Sequence, residues 1–160
     1  MSKKYWLLKS EPKAWSWDNQ VEEGPSMWDG VRNYQARNFM RDSMKIGDLV
    51  LYYHSNCKPP HVAGVAKVVR EGYPDHTSWD PNSKYMDEKS TPESPRWFMV
   101  DIAPVVEMEA VPLDALRQNG DLEGMALLAR GQRLSVQPVE EEHFRIVCQM
   151  GGVDSTSLGR

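Results

Sequence analysis

Trp28-Asp29-Gly30-Val31-Arg32-Asn33-Tyr34-Gln35-Ala36-Arg37-Asn38 is the stretch from which this chain is best read. It opens on a large aromatic, turns at Asp29-Gly30 and runs into a helix. Gly accepts a positive φ and Asp bonds its own backbone, so the dipeptide marks a turn. Asn33 has the chemistry of an N-cap, because its side-chain oxygen can take an unpaired N–H of the first helical turn. Beyond it, Ala36, Phe39, Met40 and Met44 fall on one helical face, and Arg37, Asn38, Arg41 and Asp42 on the other. Asn33 and Arg37 then lie one turn apart, near the Trp28 corner. A flat ring, an amide and a guanidinium fork in one place suit a flat polar ligand with a negative charge nearby, such as a nucleotide base and its phosphate. The residues leave a second reading open, with Trp28 in the core and Arg37 in solvent.

Outward from this corner, the chain alternates short apolar runs with polar turns. Tyr5-Trp6-Leu7-Leu8 reads as a buried first strand, ended by Lys9-Ser10-Glu11-Pro12 because Pro12 cannot donate to a ladder. Gly47 is a candidate helix C-cap. Leu49 to Tyr53 and Val62 to Val69 read as a long-looped hairpin, with Gly64 marking a bulge or a close backbone approach. Residues 70–96 hold four prolines and read as one long loop, with Trp79 unusual in so polar a setting. Trp97 to Val106 is a further strand, and Pro112 opens a short helix through Arg117. Leu122 to Leu128 is another helical piece. Gly131-Gln132 turns into a last strand, Leu134 to Pro138, and Glu140-Glu141-Glu142 starts a helix with acids at its positive end. Strands scattered among short helices, without regular βαβ alternation, predict an α+β domain with a curled or barrel-like sheet.

The totals bound the function. The chain has 160 residues, enough for one domain with a real core. Its formal net charge is −4, which argues against a broad polyanion-binding face. The charge is uneven: residues 101–160 carry five Lys/Arg against ten Asp/Glu, while the first hundred are nearly balanced. A nucleic-acid site is therefore expected to be local and to lie in the first two-thirds. Cys57 and Cys148 form no C-x-x-C pair and fit a reducing compartment. With no apolar run of spanning length, no membrane association is expected.

Catalytic and metal motifs are weak. His54-x2-Cys57-x3-His61 has tempting gaps for zinc but no clear fourth ligand. Neither a nucleophile elbow nor a phosphate-cradling loop is present. Asp75 and Asp80 have no spacing that requires acid–base work. Aromatic faces are instead plentiful, with six Trp and six Tyr. Polar donors at strand ends and turns (Lys9, Ser10, Asn33, Ser55, Ser135, Gln137) could read a base edge.

Several of these segments together resemble the EVE domain family, a branch of the PUA-like superfamily. They are Tyr5 to Pro12, Trp28 to Asn38, Gly47 to Ser55, Val65 to Glu71, Tyr73-Pro74-Asp75, Trp79-Asp80-Pro81, Pro95-Arg96-Trp97 and Arg133 to Val139, in family order. The resemblance implies a PUA-like α+β fold, a curved mixed β-sheet or pseudo-barrel flanked by short helices, over residues 1–150, followed by a flexible tail at 151–160. It implies a non-catalytic nucleic-acid-binding module for a modified base, modified cytosine in DNA ahead of RNA, flipped into an aromatic pocket. No cofactor or metal is implied. EVE domains are similar in fold to YTH domains, which hold a methylated RNA base in an aromatic cage. In that comparison Lys9-Ser10 resembles the Lys-Ser closing the first strand, Trp28 the first cage Trp, and Trp79 another wall.

The expected site is thus a pocket between the Lys9 loop, the Trp28–Arg37 corner, the strand end Tyr53-His54-Ser55, the Trp79 loop and Ser135–Gln137. Trp28 and Trp79 would stack on the base. Asn33, Ser55, Ser135 and Gln137 would read its polar edge, with Ser10, Tyr53 and His54 adjoining. Lys9, Arg32 and Arg37 would meet phosphate. The expected location is cytoplasmic, nucleoid-associated in a bacterium and nuclear in a eukaryote. Two rivals are an enzyme acting on a nucleotide or modified base, and a protein-interaction module using the acidic last third.

Overall fold

A computed structural model describes residues 3–131 and 133–158. Among these described residues, six strands form one mixed sheet in the order β2-β5-β4-β3-β1-β6. They are β1 (Tyr5–Ser10), β2 (Ser26–Met27), β3 (Leu49–His54), β4 (His61–Pro74), β5 (Phe98–Pro112) and β6 (Val136–Val139). β1 and β3 run parallel, and every other neighbouring pair is antiparallel. β2 and β6 are the edges, so the sheet is not closed. Short α-helices flank it: α1 (Trp17–Glu23), α2 (Tyr34–Asn38), α3 (Leu113–Gln118) and α4 (Glu141–Met150).

Strand alternation sorts the core into two clusters. Trp6, Leu8, Val50 and Tyr52 join Trp17, Trp28, Ala36, Met40 and Met44 in the first. Leu7, Leu49, Leu51 and Tyr53 join Leu116, Phe144, Val147 and Cys148 in the second. β1 and β3 are covered on both sides, which is why they read as continuous apolar runs. The second cluster also receives Val153 and Leu158, from the stretch expected to trail as a tail. Gln132 of the expected turn and residues 159–160 of that tail lie outside the described residues.

Several expected boundaries move. α2 begins as expected, with Asn33 Oδ1 accepting from the Ala36 N–H at 3.0 Å. It then passes into a π-helical turn, Phe39–Ser43, that keeps Met40 buried. Gly47 caps no helix; it sits at φ +92° in the turn before β3, its N–H donating to Val68 O. That turn is held by buried Asp48, which accepts from Trp6 Nε1 at 3.0 Å and Lys45 N at 2.9 Å. The long loop is shorter than expected, because β4 continues to Pro74, where Tyr73 pairs with Met99 and Pro74 with Phe98. Gly64 fulfils the expected close approach: a Cβ there would lie 2.6 Å from the Trp17 ring, beside an irregularity in the β4–β5 register.

Candidate functional site

Where β1 ends, the chain must leave the sheet beside the Trp28 corner, and a polar cavity of about 350 Å³ opens there. Lys9, Ser10 and Glu11 bring one wall, Trp15 a second, Met27 through Arg32 a third, and Lys84-Tyr85 and Ser135 the remainder.

The aromatic walls are fixed by their polar edges. Trp15 Nε1 donates to Gln20 Oε1 at 2.9 Å, and fully buried Gln20 in turn takes a bond from Ser26 Oγ at 3.0 Å. The Trp15 carbonyl accepts from Ser10 Oγ and, at 3.1 Å, from the Tyr52 hydroxyl. Trp28 is 8 % exposed and packs edge-on against Tyr52, with ring centroids 5.5 Å apart. Its N–H donates to Val100 O at 2.8 Å, which sets it directly after edge strand β2.

The third wall is built around a buried carboxylate. Asp75, with no exposed surface, accepts from Gly30 N at 2.9 Å and from Arg32 Nη1 at 3.0 Å through one oxygen. Its other oxygen accepts from Thr77 N at 2.9 Å. Burial would raise the Asp75 pKa, but the bonds from Thr77, Gly30 and Arg32 outweigh it and hold the carboxyl below its ordinary value. Arg32 also donates to Tyr85 O from Nε at 2.9 Å and Nη2 at 2.7 Å. Gly30, at φ +80°, lets the Tyr85 ring lie against the backbone; a Cβ there would sit 2.6 Å from it. The Asp29-Gly30 turn and the loop carrying Tyr85 are thus one unit. Asp29 faces the opposite charge regime from Asp75: burial, then the Asp75 charge, push its pKa up, against a bond from its own backbone N–H and the charges of Arg32 and His76. Burial lowers the pKa of Lys9.

Of the expected site residues, the cavity brings together Lys9, Ser10, Trp28, Arg32 and Ser135. Arg32 lines it as a structural clamp, its fork already committed to Asp75 and Tyr85. The remaining placements correct the expected enclosure. Asn33 is exposed and its oxygen is spent on the α2 cap. Arg37 reaches away, donating to Arg96 O at 2.9 Å and lying 4.8 Å above the Tyr34 ring. Tyr53 points into the second cluster because strand alternation gives the cavity side to Tyr52. His54 accepts from Trp17 N at 2.9 Å through Nε2, and its Nδ1 lies 3.2 Å from His61 Nε2. Since Nε2 accepts, neutral His54 carries its proton on Nδ1 and donates it to His61; burial, then His61, lower its pKa. Cys57 joins no metal triad there: its thiol bonds His54 O and Pro59 O, and no group of three or more metal-ligating side chains occurs among the described residues. Ser55 is held by its N–H to Ser10 O and does not line the cavity. Trp79 ends a 3-10 turn (His76–Trp79) and is half-buried off the cavity; the same loop contributes Lys84 and Tyr85 instead. Gln137 is buried opposite Leu7, on the side of the second cluster, its Nε2 donating to Leu134 O at 2.8 Å.

Sequence reasoning missed Trp15, Asp29 as a lining group, Lys84 and Tyr85. The Trp15-x-Trp17 pair was a usable signal, since successive aromatics in a polar stretch rarely share one face. Tyr85 had none, because its contact with Gly30 spans the fold.

The sequence profile of the EVE domain matches residues 4–150. The chain belongs to the EVE domain family. Among relatives of this EVE chain, thymocyte nuclear protein 1 of Homo sapiens is 40% identical over 171 residues, covering 91% of this chain and 73% of that protein. A protein of unknown function from Schizosaccharomyces pombe is 36% identical over 164 residues, covering 92% and 68%. Among solved structures, one from Leishmania major superposes with TM-score 0.89 at 46% identity, over 94% of this chain and 96% of that one. The human THYN1 protein, crystallised in complex with DNA containing 5-methylcytosine, superposes with TM-score 0.86 at 40% identity, over 93% and 98%. The mixed six-stranded sheet with short helices is therefore the PUA-like fold of this family.

Proposed function

We propose that this EVE domain is a non-catalytic DNA-binding module that admits one modified base, a modified cytosine, into the cavity beside Trp28. The observation that carries the reading is the pairing of anchored indoles, Trp15 and Trp28, with lysines 9 and 84 around a space of about 350 Å³, in a relative of a protein crystallised with 5-methylcytosine DNA. That volume is at the small end of ligand pockets, about 300–1,000 Å³. It favours a single heterocycle. Stacking on an aromatic side chain contributes about 1–3 kcal/mol per base. Lys9 and Lys84 supply positive charge for the flanking phosphates; that role was expected of Lys9 together with Arg32 and Arg37, and Lys84 stands in for the two arginines. A flipped base leaves its stack at a cost of a few kcal/mol, which is least for an unpaired strand.

The described lining residues include no His or Cys, and the Ser10 hydroxyl is turned to the Trp15 carbonyl. With the Ser10 hydroxyl committed to a backbone carbonyl, the described lining favours a reader over an enzyme. The test is titration of oligonucleotides that differ only in one cytosine: unmodified, 5-methyl or 5-hydroxymethyl. A buried methyl is worth about 0.8 kcal/mol, so the methylated base is expected to bind about fourfold tighter than cytosine. Trp15→Ala is expected to weaken it more than about tenfold with the fold intact by circular dichroism. Equal affinity for every oligonucleotide would overturn the reading. A mass change in the modified oligonucleotide after incubation would replace it with the enzyme.

A further inference from the structure

Two carboxylates line the cavity, and they are differently employed. Glu11 is exposed and accepts a bond from Asn56 Nδ2 at 2.6 Å. Asp29 is half-buried and follows Trp28 directly. The Gly30 N–H and the Arg32 fork both go to Asp75, and the Asp29 carboxylate is left with a bond from its own backbone N–H. Asp75 therefore takes the structural work of the turn, and the Asp29 carboxylate is kept on the cavity wall although burial and the Asp75 charge disfavour its ionised form.

We infer that Asp29 reads the 4-position of the base, accepting a hydrogen bond from the exocyclic amino group of a cytosine and repelling the 4-oxo group of a thymine. The inference rests on the base-pocket function proposed above. An ionised carboxylate only accepts, and acidic side chains suit the cytosine N4 donor, whereas thymine presents O4, another acceptor. Glu11, the other lining carboxylate, is exposed and bonded to Asn56, and the lysines are donors that favour the 4-oxo group instead. 5-Methylcytosine and thymine share ring size and the 5-methyl group, so indole walls and pocket shape treat them alike. Thymine is thus the near-isostere that such a pocket must reject. Placing two acceptors face to face in a half-buried site leaves both unpaired, which a site built around a hydrogen bond does not tolerate.

The experiment uses single-stranded oligonucleotides of A and G with one central 5-methylcytosine or thymine. The wild-type chain is expected to favour 5-methylcytosine by about tenfold or more, within the range of one good base-edge contact. In Asp29→Asn the amide can accept from N4 or donate to O4, so the preference is expected to fall to within about twofold. Asp29→Ala removes both the bond and the repulsion, so it is expected to weaken 5-methylcytosine, to tighten thymine and to bring the preference near one. Thermal melts confirm that both variants fold. A wild-type preference near one overturns the assignment whatever the variants do, and so does an Asp29→Asn chain that keeps the wild-type preference. If the wild-type chain bound neither oligonucleotide, the base-pocket function itself would fall.

Discussion

Asp29 carries a stability consequence of its own. Its pKa is raised in the folded chain, first by burial and then by Asp75. Above that raised value both folded and unfolded chains hold an ionised Asp29, and only the folded one bears the penalty. Below the ordinary Asp value both are neutral and the penalty is gone. Asp29→Asn is therefore expected to melt higher than wild type near neutral pH, with the gain vanishing below about pH 4. Melting curves at the two pH values check this, and a variant less stable at neutral pH would contradict it. At this scale the sequence was only partly legible. Trp28 and Lys9 were found because a large ring at a turn and a lysine at a strand end are visible in the chain. Arg32 was found for the wrong task, since nothing local says that its fork is spent on Asp75, 43 positions away. Trp79 and Tyr85 lie in one loop, and composition favours the tryptophan. The choice between them was made by Gly30, whose bare α-carbon accepts the Tyr85 ring.

Elements were more legible than residues. The Asn33 cap, the apolar face of α2 and the buried runs of β1 and β3 follow from local chemistry, and each is where the sequence put it. Gly64 is a case where a single letter predicted a tertiary contact. Gly64→Ala would push a methyl to 2.6 Å from the Trp17 ring, and overpacking of this kind costs about 1–3 kcal/mol. Urea unfolding is expected to show that loss; an unchanged midpoint would mean that Trp17 moves freely. The ends of β4 and β5 were not legible. Arg70, Glu71 and Tyr73 look like loop residues, yet Arg70 pairs with Asp101, and the Tyr73 hydroxyl bonds the Asp101 carboxylate. Cross-strand partners decide strand length there, and they lie about thirty positions away.

Over the whole molecule, the acidic balance sits in the last third, while among the described residues the cavity is built almost wholly from the first hundred, with Ser135 contributing from later in the chain. Binding carried by Lys9 and Lys84, without a broad basic face, predicts a weak salt dependence. A plot of log affinity against log salt is expected to have a slope near −2, about 0.7–0.9 per phosphate neutralised. A slope of about −6 would mean a wide phosphate-tracking surface elsewhere. The sequence by itself determined the α+β class, the family, the helix cap, the buried strands and the corner beside which the cavity opens. These are recorded in hydrophobic period, turn chemistry and contiguous motifs, all of which act over a few residues. Only the tertiary structure decided who lines the cavity. Membership depends on which face of β3 meets Trp28, on which loop ring fits over Gly30, and on whether Asp75 or a ligand takes the Arg32 fork. Those choices are settled by packing between segments that the chain itself keeps far apart.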